Sequence, residues 1–220
     1  MREERDLRRQ RMRLVAELRE KGIHDERVLG AIARVPRHLF VEPALRARAY
    51  RDEALPIGLK QTISQPFTVA YQTMMLEVRD GDTVLEVGTG SGYQAAVLVE
   101  MGVRVYSVER HKPLLDRTKA LLDRLGYRIV TRHGDGSLGW EAFAPYDGIV
   151  VTAGALDIPE PLLSQLREPS QRQRGGRLII PIGDDRGQVM NRIEREGPRQ
   201  FRRQRLDSFR FVPLVPGGHE

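Results

Sequence analysis

A mostly parallel, doubly wound α/β sheet is the architecture this sequence predicts, and three observations predict it. Between residues 67 and 182, short apolar runs at 83–87, 103–108, 127–131, 147–151 and 177–182 alternate with helical stretches near 92–101, 112–124 and 160–167. That alternation gives a parallel sheet covered by helices on both faces. The first run ends in Glu86-Val87 and breaks at once into Gly88-Thr89-Gly90-Ser91-Gly92, as a buried strand does when it turns tightly under a ligand. The next two runs are also followed by acids, Glu109 and Asp135, and ligands of such sheets bind beyond the carboxyl ends of the strands.

The remaining elements follow in order. Leu7, Leu14, Val15 and Leu18 share one face of a first helix; Val28, Leu29 and Ile32 mark a second, which starts after Asp25 as a cap and ends before Pro36. A third helix, from about Phe67 to Val78, precedes the first strand. Gln188–Ile193 and Ser208–Leu214 read as antiparallel edge strands, with Arg195–Arg205 as a charged connection between them. The polar stretch 168–174 contains Pro169 and reads as an exposed loop. The result is a seven-stranded sheet in one domain over residues 1–220, with 1–60 a helical extension and 67–214 the core.

Composition agrees. A chain of 220 residues with 40% apolar content can bury a sizeable core. It has no cysteine, so disulfides and thiolate sites are excluded. The five histidines share no metal-ligand spacing, and no metal is expected. The N-terminus shows no apolar signal segment and no run approaches the roughly 18 residues of a membrane span, so the expected location is the cytoplasm, away from membranes. The net charge of +6 sits in the flanks: residues 167–205 carry eleven arginines against five acids, and residues 1–21 eight basic against five acidic side chains. The cofactor loop is not basic, so a solvated charged surface is expected and nucleic acid is an unlikely partner.

The glycine spacing selects among nucleotide-like cofactors. A dinucleotide fingerprint needs a glycine at position 93, where the chain has Tyr93, which argues against a dehydrogenase. Gly88, Gly90 and Gly92 alternating after Glu86 resemble the loop of class I S-adenosylmethionine-dependent methyltransferases. The resemblance implies that the loop, including Thr89, wraps the methionine part of the cofactor, with Glu86 ordering the loop and the cofactor's amino group. Glu109, about 20 residues beyond the turn, is placed to accept both ribose hydroxyls in a bidentate, charge-assisted bond. Asp135 is placed to accept the adenine amino group, with Gly134 and Gly136 letting backbone approach the ring.

The acceptor is read from other segments: Val35–Val41, Ala54–Pro66 with its Thr62-Ile63-Ser64-Gln65-Pro66, Tyr146–Ala155, Gly175–Gly183 and Phe211–Leu214. In this order, over residues 28–214, they resemble the protein-L-isoaspartate O-methyltransferase family. The resemblance implies a Rossmann-like methyltransferase fold and methyl transfer from S-adenosyl-L-methionine to the free α-carboxylate of L-isoaspartyl residues in damaged proteins and peptides, initiating repair through a succinimide. S-Adenosyl-L-homocysteine is the second product. It also implies that Ser64 holds the substrate carboxylate or the transfer centre, that Thr62 and Gln65 shape the same segment, and that backbone at Val212 and Pro213 reads the peptide. Without the resemblance, Ser64 before Gln-Pro reads as a helix cap. Lys60 and the stretch 168–174 depart from the family pattern, which bears on rate and specificity more than on activity. The alternatives are a class I methyltransferase acting on RNA or another acceptor, and a cofactor-binding protein without catalysis.

Overall fold

The computed structural model describes residues 2–171, 173–215 and 217. Helices α1 (Arg2–Glu20) and α2 (Glu26–Arg34) lead to a hairpin, β1 (Leu55–Gly58) and β2 (Gln61–Ile63), and then to α3 (Pro66–Leu76). The alternating part follows: β3 (Thr83–Val87), α4 (Tyr93–Glu100), β4 (Arg104–Glu109), α5 (Lys112–Leu125), β5 (Ile129–His133), β6 (Gly148–Val151), α6 (Glu160–Ser164) and β7 (Arg177–Asp184). β8 (Gly187–Arg195) and β9 (Phe201–Phe209) complete a seven-stranded sheet of order β5-β4-β3-β6-β7-β8-β9. β3 to β7 are parallel and β8 runs antiparallel to both its neighbours.

The sequence explains the centre of this sheet directly. All five residues of β3 are buried, because helices cover both faces and strands flank it on both edges; such a strand reads as a continuous apolar run. From β3 the chain winds outward to β4 and β5, then crosses back to β6 and β7 on the other side. The topological switch point therefore lies between β3 and β6, where open α/β sheets hold their ligands.

The N-terminal helices pack as the apolar faces require: Leu14, Val15 and Leu18 of α1 and Val28, Leu29 and Ile32 of α2 are buried in one core. Asp25 caps α2 by accepting the Arg27 and Val28 amides. α3 is buried nearly all round, as a helix held between a sheet and other helices must be. It ends at Leu76, two residues before the expected boundary, because Glu77 turns left-handed at φ 50°. The Glu77 carboxylate meets Arg174, Arg177 and Arg192 there, and Arg195 pairs with Glu168, so the stretch 168–174 is tied down on both sides.

Three expectations are corrected. The charged connection Arg195–Arg205 is mostly strand: β8 extends to Arg195 and β9 begins at Phe201. As the outer strand of the sheet, β9 is specified by its ladder to β8 and leaves most of its side chains to solvent, so apolar alternation is missing; its arginines also discourage edge-to-edge pairing. The strand expected at Ser208–Leu214 ends at Phe209, and residues beyond it cross the strand ends instead, with Gly154 N donating to Val212 O (2.8 Å) and Leu214 N to Gly154 O (2.7 Å). The helix expected at 160–167 stops at Ser164, since Leu166 is drawn into a parallel bridge with Tyr146.

Gly175 and Gly176 are required by close approach of backbone. A Cβ on Gly176 would lie 2.4 Å from Tyr146 O and 2.8 Å from Arg167 N; one on Gly175 would lie 1.7 Å from Arg195 O. No flexible side chain can yield at either place. We expect Gly176→Ala to lower stability by about 3 kcal/mol, read as a fall in urea midpoint at unchanged slope.

Candidate active site at the switch point

Three cavities meet at the carboxyl ends of β3 and β6. One of about 460 Å³ is lined by Gly88, Gly90, Glu109, Gly136 and the backbone segment Val212–Val215, together with the β1–β2 turn. A larger one of about 680 Å³ is lined by Thr62, Ser64, Gln65, Phe67, Phe211 and Val212 among others. A small cavity of about 30 Å³ joins Ser64 to Gly88 and Thr89. Thr152 lines all three.

Thr152 is the functional-site residue that sequence reasoning missed. Its hydroxyl lies 3.0 Å from Val87 O and 2.7 Å from Gly88 O, fastening the end of β3 to the end of β6. A Cβ on Gly88 would sit 2.4 Å from that hydroxyl, and Gly88 has φ 97°, so glycine is needed on two counts. The signal was available, because Thr152 is the first residue after a strand at the switch point. Gly92 is different: its Cβ would meet Thr118 at 2.8 Å and Leu122 at 3.1 Å, so this glycine lets the loop pack on α5.

The acids at the three strand ends have distinct settings. Glu86 is fully buried and faces away from the 460 Å³ cavity. Ser107 Oγ donates to Glu86 Oε2 at 2.5 Å and lies 2.7 Å from Thr89 Oγ1, so Glu86 reaches the loop through a hydroxyl relay. Burial pushes the Glu86 carboxyl up to about 8, with the Glu109 charge adding to the rise and the Ser107 bond opposing it. Its other oxygen has no partner among the described residues. Glu109 accepts Gly90 N at Oε2 and His111 N at Oε1, both at 2.9 Å, which clamps the glycine loop to the start of α5. Each oxygen keeps a further lone pair facing the cavity. Asp135 accepts Ser137 N at 2.8 Å and Gly217 N at 2.6 Å. Burial would raise its carboxyl, but the Gly217 and Ser137 hydrogen bonds outweigh it and hold the group below the usual carboxylate range. Gly134 and Asp135 flank the cavity wall that Gly136 provides.

Ser64 does not cap α3. The N-cap position is Gln65, which makes no side-chain cap, and the Ser64 hydroxyl has no protein partner among the described residues, standing half-buried where the large and small cavities meet. Thr62 and Gln65 line the same large cavity. Val212 lines both large cavities and Pro213 the 460 Å³ one, with the Val212 carbonyl already held by Gly154 N. Tyr93, where a dinucleotide site needs glycine, is a core residue, with the Arg37 guanidinium 4.7 Å from its ring centroid.

The turn over the 460 Å³ cavity is a two-residue hairpin between paired Gly58 and Gln61, with Leu59 at φ 51° and Lys60 at φ 56°. These are the angles of a type I′ turn, for which Asn and Gly are the favoured residues. Neither position is of that type here.

A cavity of this size suits a nucleoside cofactor, since ligand pockets run from about 300 to 1,000 Å³. The left-handed glycines, the double acceptor Glu109 and the acceptor Asp135 match the polar groups of an adenosyl amino acid. Among the described residues no group of three or more His, Asp or Glu side chains is placed to hold a metal ion, and no helix is long and apolar enough to cross a membrane.

Two stability predictions follow from this geometry. Because the folded Glu86 binds its proton up to about pH 8, whereas an unfolded glutamate releases it near 4.5, stability should fall as pH rises between these values, by at most about 1.4 kcal/mol per unit. Glu86→Gln should flatten that fall, as denaturation at pH 5, 6.5 and 8 would reveal. Lys60→Gly should raise stability by about 0.5–1 kcal/mol, the relief of a left-handed side chain less the extra freedom of the unfolded chain; a lowered melting temperature would refute it.

Comparison with known proteins agrees with the site. Residues 9–219 match the family model of protein-L-isoaspartate(D-aspartate) O-methyltransferase. A Salinibacter ruber protein named protein-L-isoaspartate O-methyltransferase is 65% identical over 217 residues, covering 97% of this chain and 94% of its own. A Christiangramia forsetii protein of the same name is 50% identical, covering 93% of each chain. A solved structure described as protein-L-isoaspartate O-methyltransferase superposes with TM-score 0.81 at 30% identity, over 94% of this chain and 66% of its own. A Plasmodium falciparum structure of that description, in complex with S-adenosyl-L-homocysteine, gives TM-score 0.78 at 26% identity over 93% and 98%. With the family model spanning almost its whole length and a relative nearly two-thirds identical, the chain belongs to the protein-L-isoaspartate O-methyltransferase family.

Proposed function

We propose that this protein transfers a methyl group from S-adenosyl-L-methionine to the free α-carboxylate of L-isoaspartyl residues in damaged proteins and peptides in the cytoplasm. The observation that carries the reading is the junction of two cavities, one shaped for an adenosyl cofactor and one walled by Ser64, Phe67, Phe211 and Val212, at Thr152. Methyl transfer needs donor and acceptor sites that open onto each other, and these do.

Gly88, Gly90 and Gly136 would let backbone approach the cofactor, Glu109 would accept its ribose hydroxyls and Asp135 its adenine amino group. Glu86, Thr89 and Gly92 act one layer back, setting the shape of the loop. When bound, the cofactor supplies a methyl group activated by a sulfonium. No general base is required of the protein: a carboxylate has an unperturbed pKa near 4, so at neutral pH the nucleophile is already ionised. What the chain contributes is alignment and exclusion of water. Phe67 and Phe211 make the acceptor cavity partly apolar. The Ser64 hydroxyl, unengaged within the protein, donates to the substrate carboxylate and fixes one oxygen toward the donor cavity. Thr62 and Gln65 shape the wall around it, and backbone at Val212 and Pro213 reads the peptide without regard to side chains. The methyl ester so formed recloses to a succinimide without help from the enzyme, and hydrolysis returns part of it as ordinary aspartate.

Labelled methyl from S-adenosylmethionine should appear, in base-labile form, on a peptide with one L-isoaspartyl residue and not on its L-aspartyl twin. Label on neither peptide, with S-adenosylhomocysteine still bound, would overturn the acceptor assignment. A hydrogen bond to a charged group contributes roughly 1.5–3 kcal/mol, so Ser64→Ala should cost about 10- to 100-fold in turnover. Unchanged turnover would remove Ser64 from the mechanism.

A further inference from the structure

Asp52 lines none of the three cavities, yet its carboxylate is 2% exposed and satisfies three donors. Phe67 N donates to Oδ1 at 2.7 Å, Gln65 Nε2 to Oδ2 at 2.9 Å, and Lys21 Nζ, just past the end of α1, to Oδ2 at 2.6 Å. The local sequence of α3 makes this arrangement necessary. Its N-cap residue Gln65 supplies no side-chain acceptor, and Pro66 at the first helical position has no N–H. Phe67 N is therefore the first amide at this helix start that needs a partner, and the acceptor comes from 15 residues upstream. A carboxylate there also sits at the positive end of the helix dipole. Lys21 supplies the counter-charge without which a buried carboxylate would be costly.

The residues so held are the walls of the acceptor cavity. Gln65 and Phe67 both line it, and Ser64 precedes them directly. Since no hydrogen bond within the protein orients the Ser64 hydroxyl, its position depends on how the adjoining turn is fixed. We propose that Asp52 is a positioning residue for methyl transfer: by capping α3 at Phe67 and holding the Gln65 amide, it sets the Ser64-Gln65 turn at the junction of donor and acceptor cavities. The proposal rests on the functional reading above. An asparagine cannot substitute, because it offers one oxygen where Phe67, Gln65 and Lys21 all donate, and its own NH₂ would face two of those donors.

The test combines hydrogen–deuterium exchange with steady-state kinetics on the full chain. In Asp52→Asn, amides of residues 65–70 should exchange at least 10-fold faster while those of 84–93, in the cofactor loop, do not change. kcat on an isoaspartyl peptide should fall at least 10-fold, with the Kd for S-adenosylhomocysteine, measured by calorimetry, within twofold of wild type. Turnover within twofold of wild type would overturn the proposal. A parallel loss of S-adenosylhomocysteine affinity would also overturn it, by showing a general structural role. Should Asp52→Asn not fold, Asp52→Glu, which keeps the charge but moves the acceptor by one methylene, is judged by the same criteria. A wild-type protein inactive on isoaspartyl peptides would count against the functional reading alone, and the exchange of residues 65–70 would still decide whether Asp52 holds the turn.

Discussion

The hydroxyl of Thr152, shared between the carbonyls of Val87 and Gly88, is the contact on which the rest of the site depends. β3 and β6 are neighbours whose connections leave in opposite directions, so their carboxyl ends diverge into loops and leave a crevice. Thr152 fixes the width of that crevice by tying the first residue after one strand to the last residue of the other and the glycine that follows it. Only glycine can follow Val87, since a Cβ would strike the hydroxyl that makes the tie. The glycine loop is held at its second turn as well, by Glu109 accepting the Gly90 amide, and Thr118 Oγ1 donates to Gly90 O at 2.6 Å. A loop with so little side chain thus has its shape imposed by hydroxyls and a carboxylate from β4, α5 and the end of β6, which is how flexible residues can form a preorganised cradle.

The same economy of placement separates the two cavities from the groups that hold them. Phe67 and Tyr71 of α3 stack with Phe209 at the end of β9, with ring centroids 6.3 and 5.1 Å apart, so the edge strand contributes an aromatic wall although most of its residues face water. On the opposite side of α3, Gln72 Nε2 donates to Val151 O at 2.8 Å, joining the helix to the end of β6 one residue before Thr152. α3 is therefore fixed to the sheet on the cofactor side and to the acceptor wall on the other. Displacement of its first turn would be felt in both cavities.

What the sequence disclosed and what it hid divide along physical lines. β3, β4 and the glycine turn were legible because a fully buried strand leaves a continuous apolar run and a close-packed turn leaves glycines. β3 is found at residues 83–87 as read, and Glu86, Glu109 and Asp135 all fall at strand ends. β9 was hidden, because an outer strand needs only backbone pairing and its Arg202-Arg203-Gln204-Arg205 carries no period of two. The β1–β2 hairpin was hidden for another reason: its turn uses Leu59 and Lys60 in left-handed conformations, so the Asn-Gly signature that normally announces such a turn is absent. Capping of α3 could not be read locally at all, since the acceptor lies in a different segment. Long-range side-chain to backbone bonds leave no periodicity, and they are where this site departs most from its sequence signature.

Three acids at three successive strand ends look equivalent in the sequence and are made unequal by their surroundings. Glu86 lies under the loop with no water and one hydroxyl donor, so its neutral form is favoured and it works as a packed, hydrogen-bonded strut. Asp135 lies at the rim, where amides of Gly217 and Ser137 favour its charged form. Glu109 stands between them and engages two amides from opposite walls of the crevice. The gradient has a chemical use. Charge close to the reacting carboxylate would oppose a reaction in which an anionic nucleophile must approach a cation, whereas charge at the far end of the cofactor cavity can bind ribose and adenine without interfering. Keeping the innermost acid neutral and the outer one ionised places electrostatic binding where it fixes the cofactor and removes it from the centre of transfer.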